Sequence, residues 1–299
     1  MALIELTVGA LTLALAPEVG GSVAAFYSRV GGHDVHWLRP ASQAALAARD
    51  PLGMASFPLV PWCNRLRDGR AHVHGRNIAL APNFDAAHTI HGMGWQRPWQ
   101  VVTHHARSAE LVFSFEAGEG QGWPWSFTAW QRFELDEFGF TCRITVRNDD
   151  DVTMPLGMGH HPYFPHTPGT RLTCKVAQMW ESSADLLPTR LGRPAFIDEL
   201  SRGITLSQLD LDNNFTGWNR SFVVEWPDRT RRLQLMAEAP LDYFVLYCPP
   251  EEPIFCAEPV SNCTDWLNQL GRFTRAELGG NDLAPGERLS TSFHMSLIN

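Results

Sequence analysis

No stretch of this 299-residue sequence approaches the ~20 consecutive apolar residues that a membrane-crossing helix requires. A basic excess is also missing. Lys and Arg number 24 against 32 Asp and Glu, for a net charge of −8. Nucleic acid and anionic membrane surfaces are therefore poor partners, because both are bound by a basic patch that releases counterions. The balance mildly favours a neutral or cationic ligand. The six cysteines include no C-x-x-C pair, which argues against a zinc ribbon or a thioredoxin motif. Several sit in apolar strand-like runs, as Cys142 does in Phe140-Thr141-Cys142-Arg143-Ile144, and so read as buried free thiols rather than disulfides. Residues 6–16 (LTVGALTLALA) have the length of a secretory core, but Glu5 precedes them and no Lys or Arg does. They are predicted to form two strands about a turn at Gly9-Ala10, and the cytoplasm is the expected compartment. Internal repeats, low-complexity segments and charge runs are lacking. Helical patterning is scarce, confined to short stretches at 41–49 and 265–270.

What the sequence does have is a period of two. Phe140, Cys142, Ile144 and Val146 alternate with Thr141, Arg143, Thr145 and Arg147, the pattern of a half-buried strand. With 131–135 it makes a hairpin across Asp136-Glu137-Phe138-Gly139. The same reasoning pairs 221–226 with 231–238, and further strands are predicted at 111–117, 171–177, 243–248, 254–258 and 288–298. With 24 glycines and 21 prolines spread along the chain, turns are many and no linker stands out. The expectation is an all-β, antiparallel sandwich with few short helices, one domain over residues 1–299.

Five segments break the core pattern and mix polar groups with Gly, Pro and aromatics, as binding loops do. In 61–70, Asn64 and Arg65 offer several donors to ligand hydroxyls; a charged surface loop is the alternative. In 88–95, His88 and His91 precede Gly92, Gly94 and Trp95, and the glycines would let backbone approach a ligand closely. Metal binding, hydroxyl recognition or an exposed turn are all open there. In 157–165, His161 is held in extended backbone by Pro162 beside Tyr163, and imidazole suits proton transfer near neutral pH. In 209–218, Asp212 and Trp218 suit a carboxylate accepting hydroxyls beside a stacking ring; the offsets of an EF-hand are not met, so calcium is not indicated. In 254–259, Glu258 shares a strand face with Ile254 and Cys256, where desolvation would raise its basicity.

Together these segments resemble the aldose 1-epimerase (galactose mutarotase) family along nearly the whole chain. The matching elements are Asn-Arg-x-x-x-Gly, His-Gly-x-Gly-Trp, Gly-x-His-Pro-Tyr-Phe, Asp-Asn-x-Phe-Thr-Gly-Trp and Glu-Pro, in that order. The resemblance implies a β-supersandwich with an open cleft, Glu258 as general base, His161 as general acid, and Arg65, His91 and Asp212 as holders of sugar hydroxyls. It implies a small-molecule aldose, hexose or pentose, as partner, and a reaction that needs no cofactor and no metal. His160 and Met93 depart from the family pattern, as does Val260-Ser261-Asn262 after Glu258-Pro259. Three other readings stand beside it. One is a hexose-6-phosphate 1-epimerase using Arg67 and Arg70 for the phosphate. A second is a non-catalytic sugar-binding module, and a third a metal enzyme on His72 and His74 or on His88 and His91.

Overall fold

The computed structural model describes residues 3–84, 87–118, 122–250 and 252–298. Antiparallel ladders build two large sheets. The first has eleven strands. From one edge run Ile4–Val8, Leu11–Ala16, Ser22–Val30, Ser56–Leu59, Gly159–Pro165, Ile254–Val260, Tyr243–Cys248, Leu211–Thr216, Gln178–Ser182 and Pro188–Gly192, with His33–His36 pairing off Ser22–Val30. The second has nine, in the order Gln100–His105, Ser108–Phe115, Phe127–Leu135, Gly139–Asn148, Arg288–Ile298, Arg231–Ala237, Ser221–Trp226, Arg171–Cys174 and Ile204–Thr205. This is the all-β sandwich read from the period-two pattern. The hairpins expected at 6–16, 131–147 and 221–238 all form, and Gly9 supplies the positive φ of the first turn at 57°.

The sheets pack through the apolar alternates of their strands. Phe164 meets Phe222 with ring centroids 5.8 Å apart, and Phe26 meets Phe140 at 4.9 Å, each pair near perpendicular. All six cysteines are buried and free. Among the described residues α-helix is limited to Gln43–Ala48, Phe196–Leu200, Trp266–Gln269 and Arg275–Leu278. The first and third fall where short helices are predicted; the second and fourth, of five and four residues, are too brief to show a period. No helix among the described residues is long and apolar enough to cross a membrane.

The middle of the first sheet is covered on both sides. Every residue of Ile254–Val260 is buried. Phe255 and Ala257 join the inter-sheet core, whereas Ile254, Cys256 and Val260 pack on the outer face with Phe57, Leu59, Trp95, Tyr163 and Val245. That outer face is the floor on which the candidate site is built.

One polar chain crosses between the sheets. Gln131 donates Nε2 to the Gly21 carbonyl at 3.0 Å, which leaves its Oε1 to accept from His160 Nε2 at 2.9 Å. His160 Nδ1 then accepts from the Ser56 hydroxyl at 2.6 Å. Every ring nitrogen of His160 is satisfied in the neutral form, and its complete burial lowers its pKa to about 3. Because the unfolded chain takes up a proton near pH 6.5 and the folded one does not, this histidine's contribution to stability is intact above about pH 6.5 and declines as pH falls toward 3. Lowering pH from 6.5 to 5 should cost about 2 kcal/mol through this residue. Urea unfolding of wild type and His160→Gln at pH 7 and pH 5 should show a pH-dependent loss smaller in the variant by that amount. Equal losses would mean that His160 is not the titrating group.

Candidate active site

Three strands and two loops bring all but one of the sequence-predicted residues to one cavity of about 340 Å³, lined by Asn64, Arg65, His91, Trp95, His161, Tyr163, Asp212 and Glu258 among others. The volume is of the size that holds a small ligand. His161 and Tyr163 come from Gly159–Pro165, Glu258 from the adjacent Ile254–Val260, and Asp212 from Leu211–Thr216. Their alternation along the strands sets them on one face.

Arg65 and His91 arrive on two loops that clasp each other. Arg65 and Leu66 pair with Ile90 and Thr89, and the His91 amide donates to the Asn64 carbonyl at 3.0 Å. Both hinge residues have left-handed backbone, Asn64 at φ 59° and His91 at φ 64°. Such conformations persist in non-glycine residues only where the surroundings enforce them. The neighbouring glycine serves the same clasp. A Cβ on Gly92 would lie 2.0 Å from the Val60 carbonyl oxygen, and that carbonyl accepts from Met93 and Gly94 amides. Gly92, expected to admit a ligand, therefore admits the chain's own backbone, and Gly94 packs against the Val60 side chain.

The clasp also fixes a proton. The Asn64 amide donates to His91 Nδ1 at 3.2 Å, so the neutral ring carries its hydrogen on Nε2. Burial, with the charges of His161 and Arg65 added, holds the His91 pKa well below the usual histidine range. His91 is thus a fixed neutral donor. Asn64 spends its Oδ1 on the Arg65 amide at 2.7 Å and on Arg65 Nη1 at 3.3 Å. Arg65 Nη2 reaches Asp212 Oδ2 at 3.2 Å. This half-buried pair presents a cation and an anion side by side on the cavity wall.

Glu258 and His161 lie against each other, with Oε1 3.3 Å from Nε2. They are neighbours on adjacent strands. Burial, reinforced by the Asp212 carboxylate, raises Glu258 well above the carboxylate range. Burial also lowers His161 to about 3, with the Arg39 charge adding to the effect. Desolvation therefore opposes a lone imidazolium at His161. Glu258 Oε2 and His161 Nδ1 are buried without a hydrogen-bond partner among the described residues.

Trp218 is not in the cavity. Its ring packs against Phe244 at 5.4 Å and Phe222 at 6.4 Å, and its Nε1 donates to the Ser221 carbonyl, so it belongs to the inter-sheet core. Trp95 lines the cavity but is 1% exposed, stacked on Phe57 at 5.2 Å. The Tyr163 ring is covered by the Arg39 guanidinium at 3.9 Å and flanked by His161 at 4.7 Å, leaving no open face for a ligand. Sequence reading missed Arg39, Phe84, Tyr247 and Glu252, which also line the cavity. Tyr247 had a signal: it is spaced two and four residues from Val245 and Tyr243 on one strand face, beside Asp212 and Cys256. Arg39 had none.

The other candidate residues are engaged elsewhere. Arg67 pairs with Asp265 at 3.3 Å, His72 bonds Asn77, and His74 bonds Asp282. His88 Nδ1 accepts from the Asp68 amide at 3.0 Å. Among the described residues no three His, Cys, Asp or Glu side chains converge as a metal site.

The uncharacterized protein YphB of Escherichia coli (strain K12) is 31% identical over 276 residues, covering 87% of each chain. The crystal structure of a candidate aldose 1-epimerase from Escherichia coli K12 superposes with a TM-score of 0.87 at 26% identity over 99% of each chain. A galactose mutarotase-like protein from Clostridium acetobutylicum shares the fold, with a TM-score of 0.87 at 20% identity over 99% of this chain and 94% of that one. With the aldose 1-epimerase family model matching residues 2–296, the chain belongs to the aldose 1-epimerase family.

Proposed function

We propose that the protein interconverts the α and β anomers of an aldose by acid–base opening and closing of the pyranose ring. The observation that carries this reading is the Glu258–His161 contact of 3.3 Å in a buried, sugar-sized cavity. The anomeric hydroxyl oxygen and the ring oxygen are both bonded to C1. A base and an acid that touch each other can therefore address both at once.

Burial opposes charge on each partner, so the resting pair is Glu258 protonated and His161 neutral, one proton between them. Shifting that proton from Oε1 to Nε2 makes a carboxylate and an imidazolium. Glu258 then takes the hydroxyl proton from O1 while His161 protonates the ring oxygen. The C1–O5 bond breaks, and an open-chain aldehyde forms. Rotation about C1–C2 exposes the other carbonyl face, the freed hydroxyl attacks it, and the two protons return. No electron or group leaves the sugar, so the cycle balances without a co-reactant. Arg65, His91 and Asp212 supply two donors and an acceptor that hold the sugar hydroxyls.

The phosphosugar reading loses support here. Arg67 is spent on Asp265, and neither Arg67 nor Arg70 lines the cavity. The binding-module reading accounts for the hydroxyl-holding groups but leaves the buried carboxylate–imidazole contact without a use.

Glu258→Gln and His161→Asn should each lower the anomerisation rate by ~10²-fold or more, the usual contribution of a general acid or base. Polarimetry on freshly dissolved α-sugar reads the rate, and circular dichroism checks the fold. Near-wild-type rates in either folded variant would leave a sugar-binding module as the better account. Arg65→Ala, His91→Ala and Asp212→Ala should raise KM and lower kcat together, since groups that orient a substrate act on the transition state as well as on affinity. Unchanged kinetics in all three would show that the clasp is structural only.

A further inference from the structure

We propose that the cleft prefers an aldose bearing a carboxylate at C6, a hexuronate, with Arg39 recognising the anion. The inference rests on the anomerase reading above and narrows its substrate class.

Two cations line the cavity. Arg65 is paired with Asp212. Arg39 is not paired: no carboxylate lies within ion-pair distance among the described residues. Its Nη2 donates to the carbonyls of Leu52 at 2.5 Å and Met54 at 2.6 Å. Its Nε is buried without an acceptor, and Nη1 makes no hydrogen bond among the described residues. The guanidinium carbon lies over Tyr163, 3.9 Å from the ring centroid. A cation–π contact and two carbonyls fix the group in place but do not neutralise it. A half-buried charge without a counter-charge is costly, and a ligand anion relieves that cost.

The position suits C6. With Glu258 at O1 and His161 at the ring oxygen, C5 and its exocyclic carbon would extend past His161 along its strand, toward Tyr163. Tyr163 follows His161 by two residues on the same strand face, its ring 4.7 Å from the imidazole, and Arg39 covers Tyr163. One free cation matches one negative charge. A phosphate dianion would also meet the fields of Asp212 and of exposed Glu252 at the rim. The net charge of −8 repels anions at a distance, but salt screens it beyond about 8 Å while Arg39 acts by contact.

An acidic substrate would also help the chemistry. The Arg39 charge is among the causes that depress His161. A carboxylate set against Arg39 cancels that influence and lets the imidazole take up its proton more readily.

The test is anomer exchange by NMR on glucuronate, galacturonate, glucose, galactose and glucose 6-phosphate, in wild type, Arg39→Gln and Arg39→Lys. Wild type should favour each uronate over its neutral parent by ~10-fold or more in kcat/KM, as one charge-assisted hydrogen bond supplies. Added salt should leave that ratio largely intact, because a half-buried contact is screened little, and Arg39→Gln should bring it close to one, with Arg39→Lys between. The wild-type ratio and its persistence in salt decide the matter even if a variant fails to fold. Preference for the neutral sugars overturns the proposal and leaves the anomerase reading standing. Preference for glucose 6-phosphate overturns it in favour of a phosphosugar, and exchange of none of the five overturns both.

Discussion

A carboxylate on a strand that is buried on both faces is the constraint from which the rest of this site follows. The Ile254–Val260 strand sends Phe255 and Ala257 into the inter-sheet core and Cys256 and Glu258 to the outer face. Water cannot solvate Glu258 there, so the group is kept protonated or must find a partner. His161, on the neighbouring strand at 3.3 Å, is that partner, and it too is desolvated. Each group alone is held neutral; together they can exchange one proton at little net change in charge. The sandwich supplies the dry floor on which, in the proposed reaction, the pair works as an acid–base couple rather than as a surface ion pair.

The second element is backbone rather than side chain. Asn64 and His91 both adopt left-handed φ, and each helps hold the other through the Asn64 carbonyl and the His91 imidazole. Local strain of this kind is sustained by the surrounding packing, here by the close approach of Gly92 to Val60. Its result is a histidine whose tautomer and direction are set before any ligand arrives. Preorganisation of donors in this way is what a site needs if it is to stabilise developing charge without reorganising.

Charge is distributed on two scales. The protein as a whole is acidic, yet the cavity wall carries an Arg65–Asp212 pair and an Arg39 guanidinium without an acidic partner. Net charge governs the field at a distance, and contacts inside a low-dielectric cleft govern recognition. The composition therefore described the surface and was silent on the cleft.

Much of this protein was legible in the sequence. Period-two alternation in 140–147 and 288–298 gave the strands, and turn residues such as Gly9 and Asp136-Glu137-Phe138-Gly139 gave the hairpins, because side-chain alternation and turn geometry are local. Glu258 stood out by its apolar company on one strand face, and burial does raise its proton affinity. Trp218 was misread because an aromatic after an Asx-rich turn looks the same whether it faces a ligand or a core; the core claimed it. The contact between Glu258 and His161, the depressed proton affinity of that histidine, the tautomer of His91 and the arrival of Arg39 over Tyr163 were decided only by the tertiary structure. Each joins residues between 27 and 124 positions apart in the chain, and desolvation and hydrogen bonding depend on who the neighbours in space are, which strand order determines and local pattern does not.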